Sequence, residues 1–203
     1  MLRLYHAPRT RSVRVLWLLE ELELPFELVT VPFKAPSSEF FVQETPLGKI
    51  PTLEDDETGV VFCESGAIVE YIVERHGEGR LAPAIGSPLR GRYLQWLHFA
   101  EGTAYLPLGV MVWLTRYRDD AEKHVSLLED LRHRAAGGMA FIEQHMGDGP
   151  WLLGEEFSAA DVMTGFTLTA ARNLGVLDDR YPALMAYFAR IEARPAYQRA
   201  VQR

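Results

Sequence analysis

Residues 1–31 read MLRLYHAPRTRSVRVLWLLEELELPFELVTV, and the changes of period within them decide the architecture of the first half of the chain. Leu2-Arg3-Leu4-Tyr5 has the pattern of a short strand. Val15, Leu18, Leu19 and Leu22 then recur at helical spacing, with Val13, Leu16 and Trp17 widening the apolar face and Glu20, Glu21 and Glu23 as the expected wet side. Pro25 ends that helix, and Phe26-Glu27-Leu28-Val29-Thr30-Val31 reads as a second strand. Strand, helix and strand with links this short imply a right-handed crossover and parallel pairing.

Working outward, a loop rich in Pro and Ser (Pro32, Pro36, Ser37, Ser38) leaves room for a short helix around Glu39–Glu44. Pro46-Leu47-Gly48-Lys49-Ile50-Pro51-Thr52-Leu53 leads into a third strand. Asp55-Asp56-Glu57-Thr58-Gly59 is a turn, and Val60-Val61-Phe62-Cys63 returns antiparallel. Glu64-Ser65-Gly66 opens a helix carrying Ile68, Val69, Ile72 and Val73. The order βαβ(α)ββα is that of a thioredoxin-like domain, here residues 1–77. Residues 78–88, with their glycines and prolines, read as a linker. Residues 89–203 are helical nearly throughout, so the fold class is α+β with an all-α helical bundle following the first domain. One long helix begins at Tyr93 and runs through Trp113 and Leu114 with a kink expected at Pro107; Leu127–Met146 is another, weakened by Gly137-Gly138. Phe157-Ser158-Ala159-Ala160-Asp161-Val162 has the form of a capping box with a hydrophobic staple. Pro182 opens what reads as the last helix, through Leu184, Phe188 and Ile191.

The 203 residues carry a formal net charge of −7, which argues against wholesale binding to nucleic acid or an anionic membrane. One cysteine, Cys63, permits no intrachain disulfide and suits a reducing compartment. No leader pattern and no run approaching about 20 apolar residues is visible, so the expectation is a soluble cytoplasmic protein.

The loop between the first strand and its helix concentrates polar chemistry. Arg9, Arg11 and Arg14 crowd a helix mouth where the macrodipole is already positive, and Thr10 and Ser12 place hydroxyls where backbone N–H groups converge. That pattern fits an ordinary N-cap on a solvated helix end, and it fits an anion site; both readings are open from these residues. The six histidines, His6 among them, include no pair at the three- or four-residue spacing of a helical metal site, so no metal is expected and the histidines read as surface or lightly buried. Redox chemistry by protein thiols needs a low-pKa cysteine in the loop after the first strand, where this chain has none. Cys63, in a strand expected to be buried, reads as a structural thiol, which argues against a disulfide oxidoreductase.

The sequence resembles a cytosolic glutathione S-transferase of bacterial or fungal type with a serine/threonine-like active site. Arg11-Ser12-Val13-Arg14-Val15-Leu16-Trp17-Leu18-Leu19-Glu20-Glu21-Leu22 is similar to that family's first helix, and Pro46–Leu53 to its cis-proline segment. Glu64-Ser65 resembles its glutathione-binding pair, and Trp151-Leu152-Leu153-Gly154 with Phe157–Val162 its helical-domain capping motif. The resemblance spans essentially the whole chain. It implies a homodimer that joins glutathione to a small hydrophobic electrophile in detoxification, with a cis Pro51 turning the Ile50 backbone toward the cysteinyl part of glutathione. It further implies that Glu64 and Ser65 hold the γ-glutamyl end, that Lys49 meets the glycine carboxylate, and that Glu101 reaches the neighbouring subunit's glutathione. The family's catalytic serine falls at Thr10; Ser12 is the alternative donor and Arg11 or Arg9 an alternative source of charge. Tyr105, Leu106, Met111 and Trp113 are the residues the resemblance implies for the electrophile pocket. Two other outcomes stay open: glutathione-dependent reduction of peroxides or removal of halide, and a non-catalytic binding or regulatory module of the same fold.

Overall fold

Strand β1 (Leu2–His6) is an inner strand of a four-stranded sheet. β2 (Phe26–Thr30) lies parallel to it, with Leu4 opposite Leu28, and β3 (Thr52–Asp55) lies antiparallel on its other side, with Leu4 opposite Leu53. β4 (Val60–Cys63) pairs antiparallel with β3 and closes the order β2-β1-β3-β4. This mixed sheet is the one the periodicity implies, and the fold is α+β with a thioredoxin-like first half. The computed structural model describes residues 1–31 and 47–203; the helix expected at Glu39–Glu44, its Pro- and Ser-rich loop and Pro46 lie outside the described residues.

Two compact units divide the chain: Met1–Ala82 together with Glu192–Arg203, and Pro83–Ile191. The boundary at residue 82 falls inside the expected linker, whereas residues 192–203, which the sequence leaves with the helical domain, belong to the first unit. The reason is a helix that the sequence reading does not separate. After α7 (Pro182–Glu192), the Arg194-Pro195 step starts a further helix, α8 (Pro195–Val201), with proline in its first turn where a missing N–H costs least. α8 covers helix α1 (Ser12–Glu21): Tyr197 meets Trp17 edge to face with ring centroids 4.9 Å apart. Arg194 grips Glu21 through two bonds of 2.7 Å, and Arg199 reaches Glu20 at 2.7 Å. Glu20 and Glu21 are therefore largely covered by an ion-paired layer, while Glu23 alone of the three stays exposed as expected.

The core of the first unit is built from β1, α1 and helix α2 (Ser65–His76), with Leu4, Leu16, Trp17, Leu53, Ile68 and Ile72 fully buried. Burying each such side chain contributes roughly 1.5–3 kcal/mol against its exposed state. β4 departs from expectation. It is an edge strand, so Val60 and Val61 remain 40% and 42% exposed, and Cys63 is half-buried rather than sealed in the core. Asp55, at the end of β3, is buried and accepts hydrogen bonds from the Tyr71 hydroxyl (2.7 Å) and the Glu57 amide (3.0 Å), with His76 Nε2 at 3.3 Å.

In the second unit, the long helix expected from Tyr93 to Leu114 is present but changes pitch. α3 (Arg90–Phe99) passes into a π-helical segment at Ala100–Tyr105 and then α4 (Leu106–Arg116). Pro107 has no amide to return to the carbonyl four residues back, and the wider turn falls immediately before it. The Ala100 carbonyl accepts the Thr167 hydroxyl at 3.0 Å, so this backbone group is satisfied from a neighbouring helix. α5 (Val125–His145) runs unbroken through Gly137-Gly138, and Gly138 faces Ala104, whose Cα would lie 3.5 Å from an added Cβ, an ordinary contact.

α6 (Ala159–Asn173) opens with the expected capping box. Asp161, fully buried, accepts the Ser158 amide and hydroxyl on one oxygen and the Leu152 amide and Tyr187 hydroxyl on the other. Burial pushes its carboxyl above the ordinary range, against those four donors. No helix among the described residues is long and apolar enough to cross a membrane.

Candidate active site

The loop from His6 to Ser12 turns the end of β1 into the start of α1. Backbone bonds from Val13 to the Thr10 carbonyl (3.0 Å) and from Arg14 to the Arg11 carbonyl (3.2 Å) begin the helix, with no side-chain cap. The ordinary N-cap reading of Thr10 and Ser12 therefore does not describe them. Their hydroxyls instead meet each other at 2.7 Å, Thr10 donating also toward the Ala7 carbonyl at 2.8 Å. Ser12 is buried; its Oγ accepts the Ala7 amide at 3.2 Å and lies 2.9 Å from His6 Nδ1. Thr10 is half-buried and is the outer member of the pair.

His6 corrects the view of the histidines as surface groups. It is fully buried, and burial pushes the imidazole below its ordinary value while a backbone interaction with Arg203 works the other way, so the ring is neutral at neutral pH. A histidine at the end of an inner strand has no surface to reach. Arg9 is exposed in a left-handed backbone conformation (φ 63°), and Arg11 is half-buried. Tyr5 is buried in the strand and donates to Glu54 at 3.3 Å, as its place in the alternation implies.

Arg14 is a candidate that the sequence reading leaves out of the site. It is fully buried, and its Nη1 donates to Ser65 Oγ at 3.1 Å, tying the first turn of α1 to the first turn of α2 across 51 residues. A buried guanidinium is a strong charge in a poor solvent, and one of its contacts is the hydroxyl at a helix N-terminus. The visible sequence signal was the crowding of arginines at that helix mouth. Glu64, immediately before Ser65, is exposed and held at φ 79°, ψ 108°, a region that side-chain-bearing residues rarely occupy. Such strain persists where surrounding structure fixes it and where the outward aim of a group matters.

The Ile50–Pro51 peptide bond is cis. Ile50 packs against the buried cluster of Tyr5, Ala7 and Val31, which places this segment beside the His6–Ser12 loop. Lys49 is exposed, and its carbonyl accepts the Thr52 hydroxyl at 2.8 Å. The first unit thus brings one hydroxyl pair, one buried guanidinium and one outward-aimed carboxylate to the ends of β1, β3 and β4. Among the described residues, no group of three His, Cys, Asp or Glu side chains could hold a metal ion.

The remaining candidates lie in the second unit. Glu101 is half-buried in the π-helical segment. Tyr105 is buried and stacked on Phe166 with centroids 5.6 Å apart, and Met111 is buried likewise. Leu106 and Trp113 are 61% and 50% exposed, with the Arg118 guanidinium 5.0 Å over the Trp113 ring. Tyr105 and Met111 are thus buried, whereas the Leu106 and Trp113 side chains face solvent.

Family models described as the N-terminal and C-terminal domains of glutathione S-transferase match residues 1–74 and 111–190. A glutathione S-transferase-like protein of Aspergillus fumigatus is 30% identical, over 93% of this chain and 89% of its own. The crystal structure of a glutathione transferase from Methylococcus capsulatus superposes with a TM-score of 0.84 at 28% identity, covering 100% of this chain and 98% of that one. A family member from Pseudomonas fluorescens, solved with two glutathione bound, gives 0.82 at 28% identity, covering 98% and 92%. Relatives with other names also match: a maleylacetoacetate isomerase of Pseudomonas aeruginosa (30% identical, 76% of this chain, 72% of its own) and a disulfide-bond oxidoreductase of Escherichia coli (27%, 99% and 94%).

Proposed function

Because the chain belongs to the glutathione S-transferase family, we propose that its first unit binds glutathione and ionises the bound thiol for attack on a hydrophobic electrophile. The observation that supports this most directly is the Thr10–Ser12 hydroxyl pair at the open end of α1. A free thiol of pKa about 8.5 is only a few per cent thiolate at neutral pH; lowering it by about two units takes roughly 2.7 kcal/mol. One charge-assisted hydrogen bond from a hydroxyl, with help from a helix N-terminus, is of that size.

In this reading Thr10 donates to the sulfur. Ser65, already accepting from Arg14, has its own proton for the γ-glutamyl carboxylate, and the N–H groups of α2 converge on the same anion. Glu64 takes the ammonium, the Ile50 backbone pairs with the cysteinyl segment, and Lys49 meets the glycine carboxylate. The thiolate attacks the electrophile's carbon, the carbon–sulfur bond forms, and the leaving group departs with the bonding pair. Leu106 and Trp113 are the side chains assigned to the electrophile, and in a homodimer Glu101 is assigned to the neighbouring subunit's glutathione. The setting is cytoplasmic and reducing.

A second reading, glutathione-dependent reduction or isomerisation at the same site, is favoured by the isomerase and oxidoreductase among the relatives. The test is retention on immobilised glutathione together with conjugation of a chloronitrobenzene, run beside a peroxide and a disulfide substrate. Thr10→Ala should lower kcat/KM about ten-fold or more. Absence of both retention and turnover would sink the glutathione reading, and loss of activity in Ser12→Ala with Thr10→Ala intact would move the donor to Ser12.

A further inference from the structure

The geometry points to Trp113 as the residue that selects a neutral, planar aromatic electrophile, with Arg118 and Asp120 as positioning residues that hold its indole in place. The inference rests on the glutathione reading of the site and names the class of second substrate which that reading leaves open.

Leu106, Val110, Trp113 and Tyr117 fall on one face of α4 and its C-terminal end, at the i, i+4, i+7 and i+11 positions of a helix. Leu106, Trp113 and Tyr117 are exposed and Val110 is half-buried, while Leu108, Met111 and Leu114 turn into the core. An exposed indole ordinarily samples several rotamers, and a ligand that stacks on it must first order it. Here the chain orders it in advance. The Arg118 guanidinium lies 5.0 Å over the Trp113 ring, and its Nε and Nη2 donate to the two oxygens of Asp120, each at 2.6 Å. The fork of donors lies in the guanidinium plane and the contact with the ring uses its face, so both interactions are made at once.

The brace is built at the expense of a commoner use of the same carboxylate. Asp120 stands at the N-cap of the short 3₁₀ turn Ala121–His124, yet its side chain makes no capping bond. Both oxygens go to Arg118 instead, with His124 Nε2 3.5 Å from one of them. The hydrogen bonds from Arg118 hold the Asp120 carboxyl down at about 2, so the pair stays charged at neutral pH. With the guanidinium charge matched by Asp120, the free face of the indole suits a neutral ring, flanked by the aliphatic side chains of Leu106 and Val110. Four side chains offer far less than the roughly 800 Å² per partner of a standard protein interface, so a small ring is the fitting occupant.

The test compares a chloronitrobenzene with an alkyl iodide of similar size. Trp113→Leu should lower the ratio of kcat/KM for the aromatic to that for the iodide about ten-fold. Arg118→Met should lower it about three-fold through the KM for the aromatic, with kcat and the KM for glutathione changed less than about two-fold. An unchanged ratio in Trp113→Leu refutes the selection of an aromatic ring. A fallen ratio in Trp113→Leu with the wild-type ratio in Arg118→Met refutes the brace. If Arg118→Met does not fold, Arg118→Lys, which keeps the charge and loses the fork, decides on the same ratio. In protein carrying fluorotryptophan, Trp113→Phe assigns the Trp113 resonance, which should move with an S-nitrophenyl conjugate of glutathione and much less with an S-hexyl conjugate. A resonance that moves with protein concentration and with neither conjugate makes this face a contact between copies and overturns the proposal. Wild-type protein that is not retained on immobilised glutathione and turns over neither electrophile refutes the glutathione reading itself, a result distinct from a changed preference between the two.

Discussion

Removing the carboxylate of Asp161 should be among the costliest single changes in the second unit, and its size follows from the four donors that converge on it. Two are backbone amides, of Leu152 and Ser158, and two are hydroxyls, of Ser158 and Tyr187, all within 2.8–3.0 Å. Asp161→Ala leaves all four without an acceptor in a buried site. At about 1 kcal/mol of net stabilisation per bond, the loss is about 4 kcal/mol, a large share of the 5–15 kcal/mol that holds a typical domain. Asp161→Asn separates charge from geometry. Its amide oxygen can still accept from Leu152 and Tyr187, and the Ser158 hydroxyl can rotate to accept from the new NH2 group. The Ser158 amide alone is left facing a donor, so the expected loss is about 1–3 kcal/mol. Ser158→Ala, which removes the cap but leaves the carboxylate, should cost about 1 kcal/mol. Equilibrium urea unfolding, with the m-value checked for constancy across the series, measures the order directly. The reasoning is refuted if Asp161→Asn is as damaging as Asp161→Ala, or if Asp161→Ala costs less than about 1 kcal/mol.

Other outcomes are expected elsewhere in the chain. Burial alone would raise the Asp55 carboxyl, but the hydrogen bonds from Tyr71, the Glu57 amide and His76 outweigh it and hold it below the ordinary 3.8. The stability this contributes is present above that value and is lost as pH falls through the lower folded-state pKa. Thermal midpoints should therefore drop with acid below about pH 4, and less steeply in Asp55→Asn. Arg194→Ala should destabilise by about 1–3 kcal/mol, since Glu21 is largely covered, and a double-mutant cycle with Glu21→Gln should show more coupling than the 0–1 kcal/mol usual for exposed pairs. Coupling indistinguishable from zero would make the pair incidental. Arg14→Met should raise the KM for glutathione about ten-fold or more by releasing Ser65, with little change in the pKa of whatever thiol does bind; a shifted thiol pKa at unchanged KM would reverse that assignment.

Local pattern carried the sheet and the capping box into view, because both are written in spacing. Leu4 alternates within a strand, Leu18 and Leu19 fall on one helical face, and Ser158 stands three residues before Asp161. What stayed hidden was set by contacts between distant segments. Glu20 and Glu21 look like a wet helix face until Arg194 and Arg199, more than 170 residues later, fold over them. The exposure of Val60 depends on β4 being an edge, which no property of Val60-Val61-Phe62-Cys63 announces. His6 had no patterned neighbour, so only the strand's place inside the sheet reveals its burial. In the site, residue types at motif positions pointed to Thr10, Pro51 and Ser65, whereas the bond from Arg14 to Ser65 is a product of tertiary geometry.

The return of residues 192–203 to the first unit makes that unit discontinuous, with Pro83–Ile191 inserted between its two parts. On the ribosome, α1 therefore emerges with Trp17 uncovered, and the helix that shields it follows only after residues 83–191 have been made. The first unit reaches its full packing only after the second has been synthesised.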